Sequence, residues 1–185
     1  MDAKIIVLIV VAIVVVAAAA YMFVRNRRTK QLRQHFGPEY DRAVREHGSE
    51  RRAEVALGRL EKRVQKFHIR ELGAEERERF VSEWRAVQGR FVDDPKGSVT
   101  QADDLVSQVM LMRGYPMADF EQRAADVSVD HPRIVDNYRA AHLIAVRHRK
   151  GQASTEDLRN AMIYYRSLFE ELLEGHRPSA SREVA

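Results

Sequence analysis

IIVLIVVAIVVVAAAAYMFV, residues 5–24, runs straight into RNRRTKQLR, residues 25–33. The first stretch carries no charge, and Tyr21 is its one strong hydrogen-bonding side chain. Twenty residues at the helical rise make a rod of about 30 Å, the thickness of a bilayer's hydrocarbon core. The Val and Ile content is no obstacle, because in lipid only a helix lets a single segment satisfy its own backbone. Tyr21 falls near the end, where an amphipathic ring suits the headgroup level.

The rival reading is a cleaved signal peptide. Lys4 and the terminal amine supply a positive start, and Ala17–Ala20 offer a small-residue cleavage site. Against it, Tyr21, Met22, Phe23 and Val24 carry the apolar run past the alanines. Arg25, Arg27, Arg28, Lys30 and Arg33 then follow with no acidic residue before Phe36. Basic residues after an apolar span stay on the cytoplasmic side. The expectation is therefore a retained transmembrane anchor, N-terminus outside and C-terminal domain cytoplasmic. The same five residues form a topology signal and a collar able to attract anionic lipid headgroups.

The chain has 185 residues, 45% apolar and 31% charged, a mixture that fits a folded body beside the anchor. No cysteine is present, which excludes disulfides, thiolate metal sites and a cysteine nucleophile. From Gly37 onward there are 25 basic against 26 acidic side chains, so the net charge of +4 belongs to the collar. A nearly neutral body argues against nucleic acid as a partner.

Helical periodicity runs through the body. Gly37-Pro38 breaks the first helix, and PEYDRAVREH forms a short one ending at Gly48. After Ser49, residues Ala53, Leu57, Leu60, Val64 and Phe67 form a narrow seam. It either pairs with a second copy or folds back as one arm of a hairpin over 38–92, the favoured reading. Phe80, Trp84, Val87 and Phe91 predict a buried stripe, with Glu75 and Arg79 paired on the surface. Asp93-Asp94-Pro95 closes that helix. A helix over 98–113 turns Val99, Ala102, Leu105, Val106, Val109 and Met112 inward, stopped by Gly114. A short helix over 119–125 carries Phe120 and Ala124. Asp130 or His131 is expected to cap a helix opening at Pro132, with Ile134, Tyr138, Ala141 and Ala145 inward and Gly151 at its end. Ser154 and Asp157 make a capping box for a last helix buried through Leu158, Ala161, Met162, Tyr165, Leu168, Phe169 and Leu172. Nothing alternates as a strand does. The fold class is all-α: transmembrane helix 1–24, basic juxtamembrane linker 25–37, helical soluble domain 38–174 with a hairpin and a small bundle, and a disordered tail 175–185.

Chemistry-bearing motifs are sparse. Asp130, His131 and His142 are weak metal candidates, with Tyr138 on the face of His142. The spacing is not that of a zinc helix, and a simpler reading makes His131 a cap, His142 a bonded neighbour of the core and His148 a partner of the helix dipole. There is no phosphate-binding glycine loop and no nucleophile elbow. No catalytic residue and no cofactor are expected.

The apolar span followed by FGPEYDRAV, RFVDDP, ADFEQRAADVSVDHPRIVDNYRAAH and STEDLRNAMIYYRSLFEELL resembles a group of uncharacterised bacterial membrane-anchored proteins. The resemblance covers most of the chain; it implies a bacterial inner (plasma) membrane as the setting, and no activity, cofactor or catalytic position. The expected function is a membrane-anchored helical interaction or scaffold protein facing the cytoplasm, with the lipid bilayer and a protein as partners. Two alternatives stand beside it: a metal-binding or enzymatic domain using the Asp130–His142 region, and self-association through the Ala53–Phe67 seam.

Overall fold

The structure, a computed structural model, describes residues 3–175, with side chains from residue 11. The tail expected over 175–185 lies outside it beyond Gly175. Among the described residues there are eight helices and no strand. They are α1 (Ala3–Phe36), α2 (Pro38–His47), α3 (Glu50–Val64), α4 (Ala74–Arg90), α5 (Pro95–Arg113), α6 (Phe120–Asp130), α7 (Val135–Arg149) and α8 (Thr155–Glu174). The chain divides into two compact units, 1–57 and 58–185, with the boundary inside α3.

In the first unit, α1 runs unbroken from Ala3 through the collar to Phe36. Residues 25–36 of the basic segment are helical, because no Gly or Pro interrupts them before Gly37. Gly37 ends α1 with a positive φ of 50°, and Pro38 opens α2 where its missing N–H costs nothing. Leu32, Phe36, Tyr40, Ala43, Ala53 and Leu57 are buried. Glu54 ties the three helices together: it accepts from the Thr29 hydroxyl at 2.6 Å and from the Tyr40 hydroxyl at 3.3 Å.

Among the described residues, no helix is long and apolar enough to cross a membrane. Of the span expected over Ile5–Val24, the side chains of Ile5 to Val10 lie outside that description. From Val11 to Val24 the large apolar side chains of α1 that are open to the surroundings are 54–68% exposed.

The second unit is built on α8, which packs against α7 and α5; α4 packs on α5, and α6 on α7. The partner of α4 is therefore α5, not α3 as the hairpin reading has it. The 4,3 spacing of the seam correctly marks a buried face, since Ala53, Leu57 and Val64 are buried, but spacing carries no information about what covers it. All seven residues expected inward on α8 are buried, and Phe169 stacks on Trp84 with centroids 4.7 Å apart. Burial of this kind is worth roughly 1.5–3 kcal/mol per large side chain, against which helix propensity is minor. The capping box forms: Asp157 N–H donates to Ser154 Oγ at 3.1 Å, and Ser154 N–H to Asp157 Oδ2 at 2.8 Å.

Four local expectations are corrected. Asp94 does not merely close α4; it caps α5, accepting from Gly97 N–H at 2.9 Å, so α5 starts at Pro95. On α5, Met110 is fully buried and Met112 only partly. Arg79 pairs with Glu83 at 3.6 Å, while Glu76 takes Arg70 at 2.7 Å. Asp130 and His131 do not cap α7. The short helix expected to end at Ala125 continues to Asp130, and His131 is its C-cap, donating to Val127 O at 2.8 Å.

Candidate functional site

The cluster read from sequence around residues 130–142 separates into two networks. The first lies at the end of α6. Asp130 accepts from the buried Tyr115 hydroxyl at 2.8 Å. His131 is 2% exposed, and its Nδ1 stands 3.1 Å from Glu171 Oε1. Its Nε2 lies 3.5 Å from Arg113 Nη1. A guanidinium can only donate, so Nε2 is the acceptor, and Nδ1 keeps its proton and donates a hydrogen bond to Glu171 Oε1. Burial, outweighing the Glu171 hydrogen bond that favours the charged ring, holds the His131 pKa below its ordinary value.

Arg113 organises this end of the bundle. It is 1% exposed, and it donates to Leu172 O at 3.1 Å and to Arg70 O at 3.3 Å. Leu172 belongs to the last turn of α8, where carbonyls lack helical partners and the dipole is negative. Arg70 N–H returns a bond to Arg113 O at 2.9 Å, so the segment before α4 is stitched to the end of α5.

The second network is a polar cluster between α5, α6, α7 and α8. Tyr138 and Tyr165 are fully buried, with rings 6.5 Å apart. His142 lies flat on Phe120, centroids 3.6 Å apart. Arg123 donates to Ser107 Oγ at 3.1 Å. Asp103 Oδ1, Arg123 Nε, Tyr138 OH, His142 Nδ1 and Tyr165 OH are buried without a bond of good geometry. Asp103 faces the Tyr165 hydroxyl closely enough to act with burial in pushing its pKa up. Burial raises Tyr138 to about 12 and lowers His142. These shifts keep both hydroxyls protonated and the imidazole neutral near neutral pH. In that state the cluster holds neither a tyrosinate nor a cationic imidazole. His142, expected to bond beside the core, instead stacks.

Among the described residues, no group of three His or acidic side chains stands close enough to hold a metal ion. Asp130 and His131 belong to one network and His142 to the other.

The collar is likewise divided. Arg33 pairs with Asp41 at 3.3 Å and lies over the Tyr40 ring. Arg25 and Arg28 turn, with Tyr21 and Val24, toward a pocket of about 250 Å³. Its other wall is the Arg51, Glu54 and Val55 face of α3. Arg27 and Lys30 do not line it.

No family model matches the chain, and no curated protein or solved structure is significantly similar to it. The family resemblance expected from the sequence thus gains no support from these comparisons. Sequence reasoning also missed three residues that the structure makes prominent. Arg113 reads as a surface residue at a helix end, Asp103 as a solvated carboxylate, and Arg51 as one of many charges on α3. Arg113 and Asp103 take their places from partners distant in the chain, and Arg51 from a pocket wall shared with α1; no local pattern encodes either.

Proposed function

We propose that this chain is a membrane-anchored helical interaction protein, spanning the bilayer through Ile5–Val24 with its helical body on the cytoplasmic side. One observation carries the reading. The large apolar side chains of α1, Val11, Ile13 to Val16 and Tyr21 to Val24, stand exposed all round the helix, and the same helix continues without a break into five basic residues. A helix apolar on every side is stable only when something apolar surrounds it, and lipid is the medium that suits this length. Basic residues directly after the span favour a cytoplasmic body. The interaction role draws its support from the surface of the body. A shallow groove of about 180 Å³ on α4 and α8, floored by Phe91, Met162 and Ile163 and edged by Arg159 and Arg166, is an open surface of the second unit. Self-association through the Ala53–Phe67 seam is less favoured, because Ala53, Leu57 and Val64 are already buried within one chain.

The test is topology. The full-length chain, fused at its C-terminus to a reporter fluorescent only in the cytoplasm or to one active only outside it, is fractionated and extracted with alkaline carbonate. Retention in the membrane pellet, cytoplasmic fluorescence and an unshortened product support the reading. Release into the supernatant, or an exported product trimmed near Ala19, overturns it.

A further inference from the structure

The pocket between α1 and α3 sits where the apolar run gives way to the basic one. Tyr21, Val24, Arg25 and Arg28 follow the spacing of a single helical face. Arg51 and Val55 complete it from α3, also at one-face spacing. The two ends of the pocket therefore differ in chemistry: aromatic and aliphatic toward the apolar segment, cationic beyond it.

The three arginines are uncommitted. None of the ion pairs among the described residues uses Arg25, Arg28 or Arg51. Glu54, the one acidic lining residue, is turned to Thr29 and Tyr40 through its Oε1. Three cations against one anion leave the pocket positive. A guanidinium fork matches the oxygens of a phosphate, and arginines from two helices can hold one phosphate from two directions.

We propose that this pocket binds the phosphate headgroup of a single anionic phospholipid, with Arg25, Arg28 and Arg51 on the phosphate and Tyr21, Val24 and Val55 against the glycerol and upper acyl region. The apolar wall decides between sources of the same chemistry. A free phosphate gives Tyr21, Val24 and Val55 nothing to contact, whereas a lipid occupies both ends. The inference rests on the anchor reading above and sharpens it: lipid contact is a built site including a residue of α3, not an even attraction spread over the five-residue collar.

The experiment uses the full-length protein in phosphatidylcholine nanodiscs carrying either spin-labelled phosphatidylglycerol or spin-labelled phosphatidylcholine. The immobilised spectral component reports lipid held by the protein. A preference for phosphatidylglycerol is expected. Arg25→Gln, Arg28→Gln and Arg51→Gln should each reduce that preference about fivefold, and Arg27→Gln and Lys30→Gln less than about twofold. Arg51→Gln is the decisive variant, since Arg51 lies outside the span and its topology signal. Equal losses from all five collar and pocket variants would leave only a diffuse collar and overturn the proposal. So would no preference at all, or displacement by inorganic phosphate, which would mark a free-anion site. Carbonate extraction of the same preparation separates the two levels. A chain that is released loses the anchor reading and this site with it; a chain that is retained but shows no preference loses the site alone.

Discussion

Replacing Arg113 by methionine isolates the role of a buried cation with no carboxylate in its hydrogen bonds. The guanidinium is 1% exposed and donates to the carbonyls of Leu172 at 3.1 Å and Arg70 at 3.3 Å. Methionine keeps most of the aliphatic stem, so packing changes little. What is lost is the pairing of the buried Leu172 carbonyl, the part-buried Arg70 carbonyl and the His131 ring nitrogen, and a buried acceptor left unsatisfied costs about 1–3 kcal/mol. Relief of the guanidinium's own desolvation works the other way and favours the lower part of that range. The expected destabilisation is about 2–3 kcal/mol, or a urea midpoint lowered by about 1–2 M for a domain of this size. Trp84, the only tryptophan, stacks on Phe169 in the same unit and reports the transition by fluorescence. Arg113→Lys should fall between the two, because an ammonium has charge but not the fork that reaches two carbonyls. A midpoint for Arg113→Met within about 0.2 M of the parent would refute the reasoning: it would mean that water reaches those carbonyls and that nothing hangs on the stitch.

Three further outcomes are expected. His131 and His142 both have pKa values lowered chiefly by burial, so the unfolded chain takes up protons first as pH falls; stability is fully present above about pH 6.5 and declines below it, and a urea midpoint unchanged between about pH 7 and pH 5 would contradict this. Gly114→Ala should cost at least about 2 kcal/mol, because φ is +95° and the added Cβ would collide with the backbone carbonyl of His68; thermal melts that coincide with the parent's would count against it. Tyr138→Phe removes a buried hydroxyl that makes no bond, so stability should hold or rise by up to about 1 kcal/mol, and a loss above about 1 kcal/mol in chemical denaturation would show that the hydroxyl is paired in solution.

What the sequence conveyed depended on whether the cause was local. The α8 face was fully legible, since seven apolar residues at helical spacing between Ser154 and Gly175 admit one reading. The boundary between α6 and α7 was misread at one residue. Pro132 can open a helix, but it also bars the residue before it from helical geometry. In the structure the second effect decides: His131 has φ −129° and ψ 56°, and α6 ends there. Buried Val127 and Val129, with Asp126 held by Arg63 at 3.1 Å, keep the preceding segment helical. The partner of α4 was illegible because a stripe announces burial without naming its cover. The two polar networks were illegible for a related reason. Asp130, His131 and His142 are neighbours in sequence, yet the turn at 132–134 sends them to different clusters, while Arg113, Asp103 and Tyr165 arrive from other helices.

The continuity of α1 has a mechanical consequence. With no hinge between Val11 and Phe36, the apolar and basic parts of this helix turn and tilt as one rod. The bearing of Arg25 and Arg28 about the helix axis is then set by residue count alone. One alanine added within Ala17–Ala20 would rotate everything before it by about 100° and shift it about 1.5 Å relative to the pocket. The alanine run is, in that sense, a phase adjuster between what lies in the apolar stretch and the face on which the arginines are presented.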